Sequence, residues 1–332
     1  MHSTDFNPEF NNDADVQLNP DGSLRHLLTL QGLSKDLLVE LLDSAESFLS
    51  TAGSQPVRSN ALAGRTVANL FFEASTRTRA SFDLAGKRLG ADVLNLDVNT
   101  SSRKKGESIL DTIYTLEAMQ VDIMVVRDAG PGVPSYIARN VKDFVSVLNA
   151  GESDVSHPTQ GLLDILTMRQ HSKDFENMTV AIVGDIQHSR VARSAAHGLH
   201  TLGVGELRLV SPPAMAPDPD EMPFATVLAN LEDGLQDADV VMALRIQRER
   251  IGKLDGIPGI DEYFANFGIS QERMKLAKPD AIVMHPGPMN RGIEIEGVVA
   301  DSPQSMIARQ VTNGVAVRMA VLERVMRTLE TW

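Results

Sequence analysis

The apolar positions along the chain predict short strands that alternate with helices. Four apolar runs occur in the first half, separated by segments with helical spacing: "TVANLFF", "ADVLNLDV", "VDIMVV" and "FVSVLNA". The same rhythm returns later in "MTVAIVGD", "ELRLVSP", "DADVVMAL" and "AIVMHPG". Strands joined by helices imply parallel βαβ units. We therefore expect an α/β fold with two doubly wound domains, each a parallel sheet flanked by helices.

Two further helices are predicted outside these repeating units. Ser34 suits the N-cap of the first, and the apolar residues that follow share one helical face: Leu37, Leu38, Leu41, Leu42 and Ala45. In the last segment, apolar residues recur at steps of three and four: Val311, Val315, Met319, Leu322, Met326 and Leu329. We expect this C-terminal helix to pack back on the first domain.

The two groups of apolar runs also predict the domain boundaries. We assign residues 25–156 to a first domain completed by 307–332, and residues 157–306 to a second. Residues 1–24 are rich in Asn, Asp and Pro and show almost no apolar periodicity. They are predicted to form an extension that is flexible or contacts a partner, so that the folded body begins near Leu24.

Composition narrows the classes of function. The 332 residues include 31 Lys+Arg against 44 Asp+Glu, a formal net charge of -13, which repels nucleic acid and anionic lipid at long range. Any anion site must therefore be local. The absence of cysteine excludes disulfides, thiolate nucleophiles and Cys-ligated metals. No apolar run approaches the roughly 18 residues of a membrane helix, and no signal peptide pattern opens the chain. We expect a cytoplasmic protein that binds neither nucleic acid nor membrane.

The stretch "FFEASTRTRASF" predicts an anion site where a strand passes into a helix. Ser75 or Thr76 is expected near the N-cap, and helix N-termini at the carboxyl end of a parallel sheet present N–H groups and positive dipole ends. Thr78 adds a hydroxyl, and the planar fork of Arg77 can bind two oxygens at once. The alternative is an ordinary N-cap followed by solvated arginines.

A second basic loop, "NTSSRKKGES", follows the next predicted strand and contains Ser101 and Lys105. Taken by itself it is more typical of a solvated charged loop than of a binding site. It is not a P-loop, because GxxxxGK[ST] occurs nowhere in the chain, and "GVGELR" lacks the third glycine of a dinucleotide fingerprint. These patterns disfavour nucleotide cofactors of the nicotinamide type.

Four motifs in order, "STRTR", "SSRKKGES", "HPTQ" and "HPGPMNRGIEI", resemble the aspartate/ornithine transcarbamoylase family, from about Leu24 to the end of the chain. Members of this family move a carbamoyl group from carbamoyl phosphate to an amino acceptor. In "DVVMALRIQRER", the pair Arg245 and Gln247 is similar to the Arg-x-Gln pattern of the aspartate-specific members. Ornithine-specific members usually carry an Asp, a Ser-Met-Gly loop and "HCLP" instead. Two carboxylates on the acceptor also suit paired cationic forks, which would repel a second amine.

The resemblance implies which residues bind carbamoyl phosphate. In the family, the phosphate lies at the strand-to-helix junction, and a neighbouring subunit contributes residues that match Ser101 and Lys105. Arg127 would reach the phosphate and the carbonyl oxygen, while His157 would donate to that oxygen and Gln160 would bind the carbamoyl NH2. Without the resemblance, His157 is more typical of a capping or core histidine than of a substrate contact. The residues implied are Ser75, Thr76, Arg77, Thr78, Ser101, Lys105, Arg127, His157 and Gln160.

The resemblance also implies an acceptor site. Arg190 would bind the α-carboxylate of aspartate, and Arg245 with Gln247 would bind the side-chain carboxylate. Backbone carbonyls would orient the attacking amine or the carbamoyl NH2; those residues are Pro286 and Gly287. A further hypothesis pairs Glu73 with Arg190 and Arg250 when the domains close.

The implied activity is formation of N-carbamoyl-L-aspartate and phosphate, an early step of pyrimidine synthesis, by a homotrimer with shared active sites. No metal or organic cofactor is implied, and the spacing of His197 and His200 lacks a supporting carboxylate. Some relatives with N-terminal arms assemble with a dihydroorotase or dihydroorotase-like subunit, so such a partner is an expectation here. The alternatives are transfer to another amino-acid or amide acceptor, and a non-catalytic anion-binding regulatory subunit.

Overall fold

The computed structural model describes residues 14–51, 54–96, 108–246 and 258–329. The chain divides into two compact units: Met1–Thr159 with Gly314–Trp332, and Gln160–Asn313. Each unit contains one parallel sheet with helices, which confirms the predicted fold class. Within the described ranges, no helix combines the length and the apolar character needed to span a bilayer.

The sheet of the first unit has the strand order β2-β1-β3-β4, and all of its pairs are parallel. Its strands are β1 (Thr66–Phe71), β2 (Asp92–Leu96), β3 (Ile123–Asp128) and β4 (Ser146–Glu152). The helices described in this part of the chain are α1 (Ala14–Gln17), α2 (Lys35–Ser47), α3 (Thr76–Arg88), α4 (Ile109–Ala118) and α5 (Val133–Asn140). Strands β3 and β4 are buried along their whole length, as is typical of the strands of parallel sheets.

The sheet of the second unit has the order β7-β6-β5-β8-β9 and is also parallel throughout. Its strands are β5 (Thr179–Val183), β6 (Glu206–Val210), β7 (Thr226–Leu228), β8 (Val240–Ala243) and β9 (Ile282–Met284). The helices described in this part of the chain are α6 (Pro158–His171), α7 (Arg190–Leu202), α8 (Leu231–Leu235), α9 (Ile260–Phe267) and α10 (Gly297–Ala300). The last helix, α11 (Ile307–Leu329), begins in the second unit and continues into the first. The sequence did not predict β7, since a three-residue edge strand shows no periodicity.

The predicted start of α2 is confirmed. The Ser34 hydroxyl accepts a hydrogen bond from the Leu37 backbone N–H at 3.2 Å, which satisfies one of the N–H groups left free at a helix start. The predicted apolar face is the buried one: Leu37, Leu38, Leu41, Leu42 and Ala45.

The C-terminal helix α11 packs on the first unit over most of its length, as predicted. Met319 and Leu322 are fully buried, and the Arg318 guanidinium lies 5.1 Å from the centre of the Phe82 ring. Arg324 pairs with Glu40 of α2 at 2.7 Å. These contacts join α11 to α3 and α2 of the first unit.

The predicted apolar stripe of α11 is wrong at Val311, which is 61% exposed. In the first two turns, the inward face carries polar residues instead. Gln310 donates to Asp164 at 2.7 Å, and Asn313 donates to the Thr167 hydroxyl at 2.8 Å. Because these two residues face inward, Val311 is turned toward solvent.

The folded body begins earlier than the expected position near Leu24. Gln17 at the end of α1 is fully buried, and its side-chain oxygen accepts from the backbone N–H groups of Leu28 and Thr29 at 3.1 and 3.2 Å. The prediction treated the polar character of this segment as a sign of disorder. Instead, a buried amide satisfies the backbone of a neighbouring loop. The rest of the expected extension, residues 1–13, lies outside the described residues.

His26 gives the first unit a specific dependence on pH. It is fully buried, and its Nδ1 accepts from the Val147 backbone N–H at 2.9 Å. Burial, together with the charge of Arg25, lowers the pKa of His26 from 6.5 to about 3. The unfolded chain therefore binds a proton that the folded chain does not between these two values. Stability contributed by neutral His26 is present above the unfolded pKa and is lost as pH falls toward the folded one.

We expect the free energy of unfolding to fall by about 2 kcal/mol through His26 alone between about pH 7.5 and pH 5. His26→Asn keeps an acceptor near the Nδ1 position but does not titrate in this range. The variant should therefore show a shallower slope of unfolding free energy against pH, measured by urea denaturation at both values. Equal slopes in the two proteins would contradict the assignment.

Candidate active site

The sheet of the first unit has a topological switch point between β1 and β3. Strand β2 pairs with one side of β1, and β3 pairs with the other side, so the chain changes direction across the sheet at β1. Ligands of open parallel sheets bind beyond the carboxyl ends of the strands at such a point. Two predicted anion-binding elements occur there. Helix α3 begins five residues after β1 ends, and Arg127 near the end of β3 is in register with Phe71 of β1.

Ser75 is the N-cap of α3, in agreement with the sequence. Its hydroxyl makes no capping bond to the helix backbone and instead donates to the Thr78 hydroxyl at 3.0 Å. The Thr78 hydroxyl thus accepts one bond and keeps its own proton for another acceptor. Thr76 and Arg77 are exposed at the same helix start, while Thr78 is buried. The geometry provides hydroxyl donors, backbone donors and one guanidinium within a single turn.

Arg127 is held rigidly beside this helix start. Its side chain is buried, its NH1 donates to the Ala150 carbonyl at 3.0 Å, and its NH2 donates to the Glu73 carboxylate at 2.9 Å. A buried guanidinium with fixed acceptors keeps one orientation. The hypothesis for Glu73 named Arg190 and Arg250 as its partners. In this structure it pairs with Arg127, and Arg250 lies outside the described residues.

His157 directly precedes α6 and is only 4% exposed. Burial is compatible with both interpretations made from the sequence, a capping or core histidine and a substrate contact. Gln160, in the first turn of the same helix, donates through its side-chain nitrogen to Asp164 at 3.0 Å. Because a carboxylate accepts only, this contact fixes which end of the Gln160 amide is the oxygen. The amide oxygen is therefore the atom of Gln160 available to a substrate N–H.

The second sheet has its own switch point, between β5 and β8. Arg190 is the first residue of α7, which follows β5, and Arg245 lies two residues beyond the end of β8. The two segments approach closely near Gly184, where a Cβ atom would lie 2.9 Å from the Cβ of Leu244. Gly184 also has a φ of +138°, a backbone conformation that residues other than glycine rarely adopt. The two predicted acceptor-binding arginines thus follow adjacent strands, beyond the carboxyl ends of both.

The loop after β9 is organised around His285, which is fully enclosed. His285 Nδ1 accepts from the Gly287 backbone N–H at 2.8 Å, and His285 Nε2 lies 3.1 Å from the Glu294 carboxylate. Gly287 has a φ of 65°. Pro286 and Gly287, whose carbonyls were predicted to face substrate, are both half-buried in this loop.

Several predicted site residues cannot be placed. Ser101 and Lys105 fall in 97–107, and Gln247 falls in 247–257, all outside the described residues. Their assignments stay predictions.

The structure adds polar residues to the site region that sequence reasoning did not select. In the loop before α7, Asp185 is buried and its carboxylate lies 2.8 Å from His188 Nδ1. Asp164 had a signal, since it stands one helical turn after Gln160. Glu294 stood unremarked within the "HPGPMNRGIEI" motif. Gln310 had no local signal, because its partner Asp164 is 146 residues away.

His197 and His200, considered as a metal pair, both pack against Phe224. The His200 ring stacks on it with centroids 4.1 Å apart, and the His197 ring meets it edge-on at 5.3 Å. Across the described ranges, no group of three or more His, Asp or Glu residues is arranged to hold a metal ion.

Comparison with known proteins agrees with this arrangement. Residues 25–170 match the family model "Aspartate/ornithine carbamoyltransferase, carbamoyl-P binding domain", and residues 176–325 match the model "Aspartate/ornithine carbamoyltransferase, Asp/Orn binding domain". The matched ranges include every predicted site residue. Together they span most of the chain.

Solved structures with the same fold include both kinds of family member. Aspartate transcarbamoylase from Trypanosoma cruzi in complex with carbamoyl phosphate is 30% identical, with a TM-score of 0.79 over 90% of this chain and 96% of that one. The same enzyme with carbamoyl phosphate and aspartate gives the same TM-score, identity and coverage. Ornithine carbamoyltransferase from Thermus thermophilus is 26% identical, with a TM-score of 0.80 over 91% of this chain and 99% of that one.

Proposed function

Because the chain belongs to the aspartate/ornithine carbamoyltransferase family, we propose that it transfers the carbamoyl group of carbamoyl phosphate to the α-amino group of L-aspartate. The observation that carries the choice of acceptor is the position of Arg190 and Arg245, which follow β5 and β8 on either side of the second switch point. Two guanidinium groups suit an acceptor with two carboxylates. Ornithine would bring a second amine, which the same groups repel.

Carbamoyl phosphate binding is assigned to the first unit. The start of α3 supplies donors for the phosphate from Ser75, Thr76, Arg77 and Thr78. Arg127 contacts both the phosphate and the carbonyl oxygen, a role supported by its fixed orientation beside α3. Ser101 and Lys105 of a neighbouring subunit complete the site in this proposal, which makes the working enzyme a homotrimer with shared active sites.

Aspartate binding is assigned to the second unit. Arg190 binds the α-carboxylate, and Arg245 with Gln247 binds the side-chain carboxylate, aided by Lys105. The carbonyls of Pro286 and Gly287 accept from the attacking amine or the carbamoyl NH2. Gln160 accepts from that NH2 through its side-chain oxygen, as the bond from its nitrogen to Asp164 requires.

The reaction proceeds by attack of the uncharged α-amino group on the carbonyl carbon. A C–N bond forms, a tetrahedral oxyanion develops, and the C–O bond to phosphate then breaks. Thr78, Arg127 and His157 donate to the oxyanion; removal of one such donor typically costs about 10²- to 10³-fold in rate. The proposed contacts include no side-chain general base. The departing phosphate, with a second pKa of about 6, accepts the amine proton.

The wider setting of the enzyme is also proposed from the family. The product, N-carbamoyl-L-aspartate, belongs to pyrimidine synthesis, which is a cytoplasmic process in this proposal. A dihydroorotase or dihydroorotase-like subunit is the partner expected for a larger assembly.

The deciding experiment is an acceptor assay with the purified chain. We expect N-carbamoyl-L-aspartate from carbamoyl phosphate and L-aspartate, no N-carbamoyl product from L-ornithine, and a particle of trimer mass in the same buffer. Product with ornithine alone would replace the proposed acceptor; the match to the Thermus thermophilus enzyme makes this the alternative to test. An intact trimer inactive with both acceptors would favour the non-catalytic alternative, unless addition of a dihydroorotase-type partner restores turnover.

A further inference from the structure

We propose that Glu294 is a positioning residue that holds two acceptor-side segments of the second unit at once: the Pro286–Gly287 backbone and the strand end that carries Arg245. The inference rests on the proposed function for its chemical meaning. Its structural part stands on hydrogen bonds within the second unit alone.

Glu294 is a buried carboxylate with two donors on one oxygen. Its side chain is 1% exposed. Its Oε1 lies 3.1 Å from His285 Nε2 and also accepts a short hydrogen bond from the Asn290 backbone N–H. Burying a carboxylate is costly unless donors compensate for the lost water. The cost of burying Glu294 is therefore best explained by the neighbouring segments that its carboxylate holds in place.

The first segment is held through His285, whose tautomer follows from its partners. Gly287 presents a backbone N–H to His285 Nδ1, so Nδ1 must accept and carries no proton. The proton of the neutral ring is then on Nε2, where it donates to Glu294. Glu294 stabilises this tautomer and fixes the ring plane. The ring in turn fixes Gly287, whose φ of 65° turns the loop at the proposed carbonyl contacts.

The second segment is held through Asn290. Its backbone donates to Glu294, and its side-chain nitrogen donates to the Ile246 carbonyl at 3.0 Å. Ile246 is buried and directly follows Arg245, which is exposed. The position of the Arg245 backbone is thus tied to the same carboxylate as the Gly287 backbone.

A third branch reaches Gln160. The His285 backbone N–H donates to the Gln310 side-chain oxygen at 2.9 Å, and the Gln310 nitrogen donates to Asp164 at 2.7 Å. Asp164 also accepts from Gln160 at 3.0 Å. Hydrogen-bonded side-chain networks can be worth more than the sum of their separate bonds. His285 therefore connects Glu294 to the proposed carbamoyl NH2 contact as well.

The test compares two substitutions of Glu294. Glu294→Met keeps the length of the side chain and removes the acceptor, while Glu294→Gln keeps an oxygen for both donors and removes the charge. The matched control is Asp239→Leu. Asp239 also accepts from a backbone N–H, that of Thr179 at 2.8 Å, and pairs with a base, Lys278 at 2.7 Å. It lies at the amino end of β8, away from the proposed acceptor contacts.

We expect kcat/KM for aspartate to fall by about 100-fold in Glu294→Met, since an approach error of about 1 Å costs about that factor. Glu294→Gln should stay within about fivefold of the unsubstituted enzyme, because it keeps the hydrogen-bond acceptor. Inorganic phosphate, a ligand of the first unit in the proposal, should bind all variants equally. Asp239→Leu should lower thermal stability and leave kcat/KM per folded enzyme unchanged.

Hydrogen exchange read by mass spectrometry tests the structural part without any turnover. Residues 285–292 and 244–246 should exchange faster in Glu294→Met than in Glu294→Gln or Asp239→Leu. Unchanged exchange in those segments, or equal kinetics for the Met and unsubstituted proteins, would overturn the proposal, as would a Gln variant as impaired as Met. If the unsubstituted chain fails to carbamoylate aspartate, the proposed function fails separately, and the exchange comparison alone decides whether Glu294 holds both segments.

Discussion

Arg77→Ala is expected to lower kcat/KM for carbamoyl phosphate by about 10³-fold while the protein remains folded and assembled. Arg77 is exposed in the first turn of α3, so its loss leaves no cavity. Two charge-assisted hydrogen bonds to phosphate are worth about 1.5 to 3 kcal/mol each, which gives a loss of this size. Steady-state assays with carbamoyl phosphate as the varied substrate measure it.

Arg79→Ala is the matched control for this prediction. Arg79 is exposed on the same helix, two residues further along, and therefore points to a different face. The control should retain activity within about twofold and the same unfolding temperature, as expected for a surface substitution. If Arg77→Ala retains activity, or if both variants lose it equally, the assignment of the phosphate to the start of α3 is wrong.

Arg245→Ala is expected to reduce kcat/KM for L-aspartate by about 100-fold through loss of the bidentate contact to the side-chain carboxylate. The residue is exposed just beyond β8, so little stability should be lost. L-Alanine lacks the side-chain carboxylate. Comparing both acceptors in both enzymes therefore gives a thermodynamic cycle, analogous to a double-mutant cycle, that measures the interaction between Arg245 and this carboxylate.

In that cycle, L-alanine should be a poor acceptor for the unsubstituted enzyme and no poorer for Arg245→Ala, because the contact is already missing. The N-carbamoyl products can be quantified by mass spectrometry. Lys275→Ala, which removes an exposed cation of the second unit paired with Glu272, should change neither acceptor. Additive losses from the two changes would mean that Arg245 does not contact the side-chain carboxylate.

Two of the proposed substrate contacts, Arg127 and Gln160, are oriented by protein acceptors before substrate arrives. Arg127 is held by Glu73 and Ala150, and the Gln160 amide is oriented by Asp164. Donors that are already oriented stabilise developing charge without a further reorganisation cost. In the proposal, Glu73 therefore orients a cation beside the phosphate site, and Asp164 orients a neutral amide.

The regular elements could be predicted because their signals are local. The buried runs of β1, β3, β4 and β5 and the Ser34 cap of α2 each lie within a few consecutive residues. Strand β7 could not be predicted, since three residues at a sheet edge carry no pattern. Val311 was assigned to the wrong face, because apolar spacing cannot reveal that Gln310 and Asn313 have buried polar partners elsewhere in the chain.

By itself, the sequence determined the α/β class, the anion-binding motifs and the family to which they are similar, because each depends on residue type and spacing within a short segment. Only the tertiary structure decided which side chains orient the site. Glu73 and Arg127 are 54 residues apart, and Asp164 and Gln310 are 146 apart. Such partners meet only when strand order brings the carboxyl ends of non-consecutive strands and the last helix together. Contacts between residues so far apart in sequence produce no periodic pattern, so they cannot be predicted from the amino-acid sequence by such patterns.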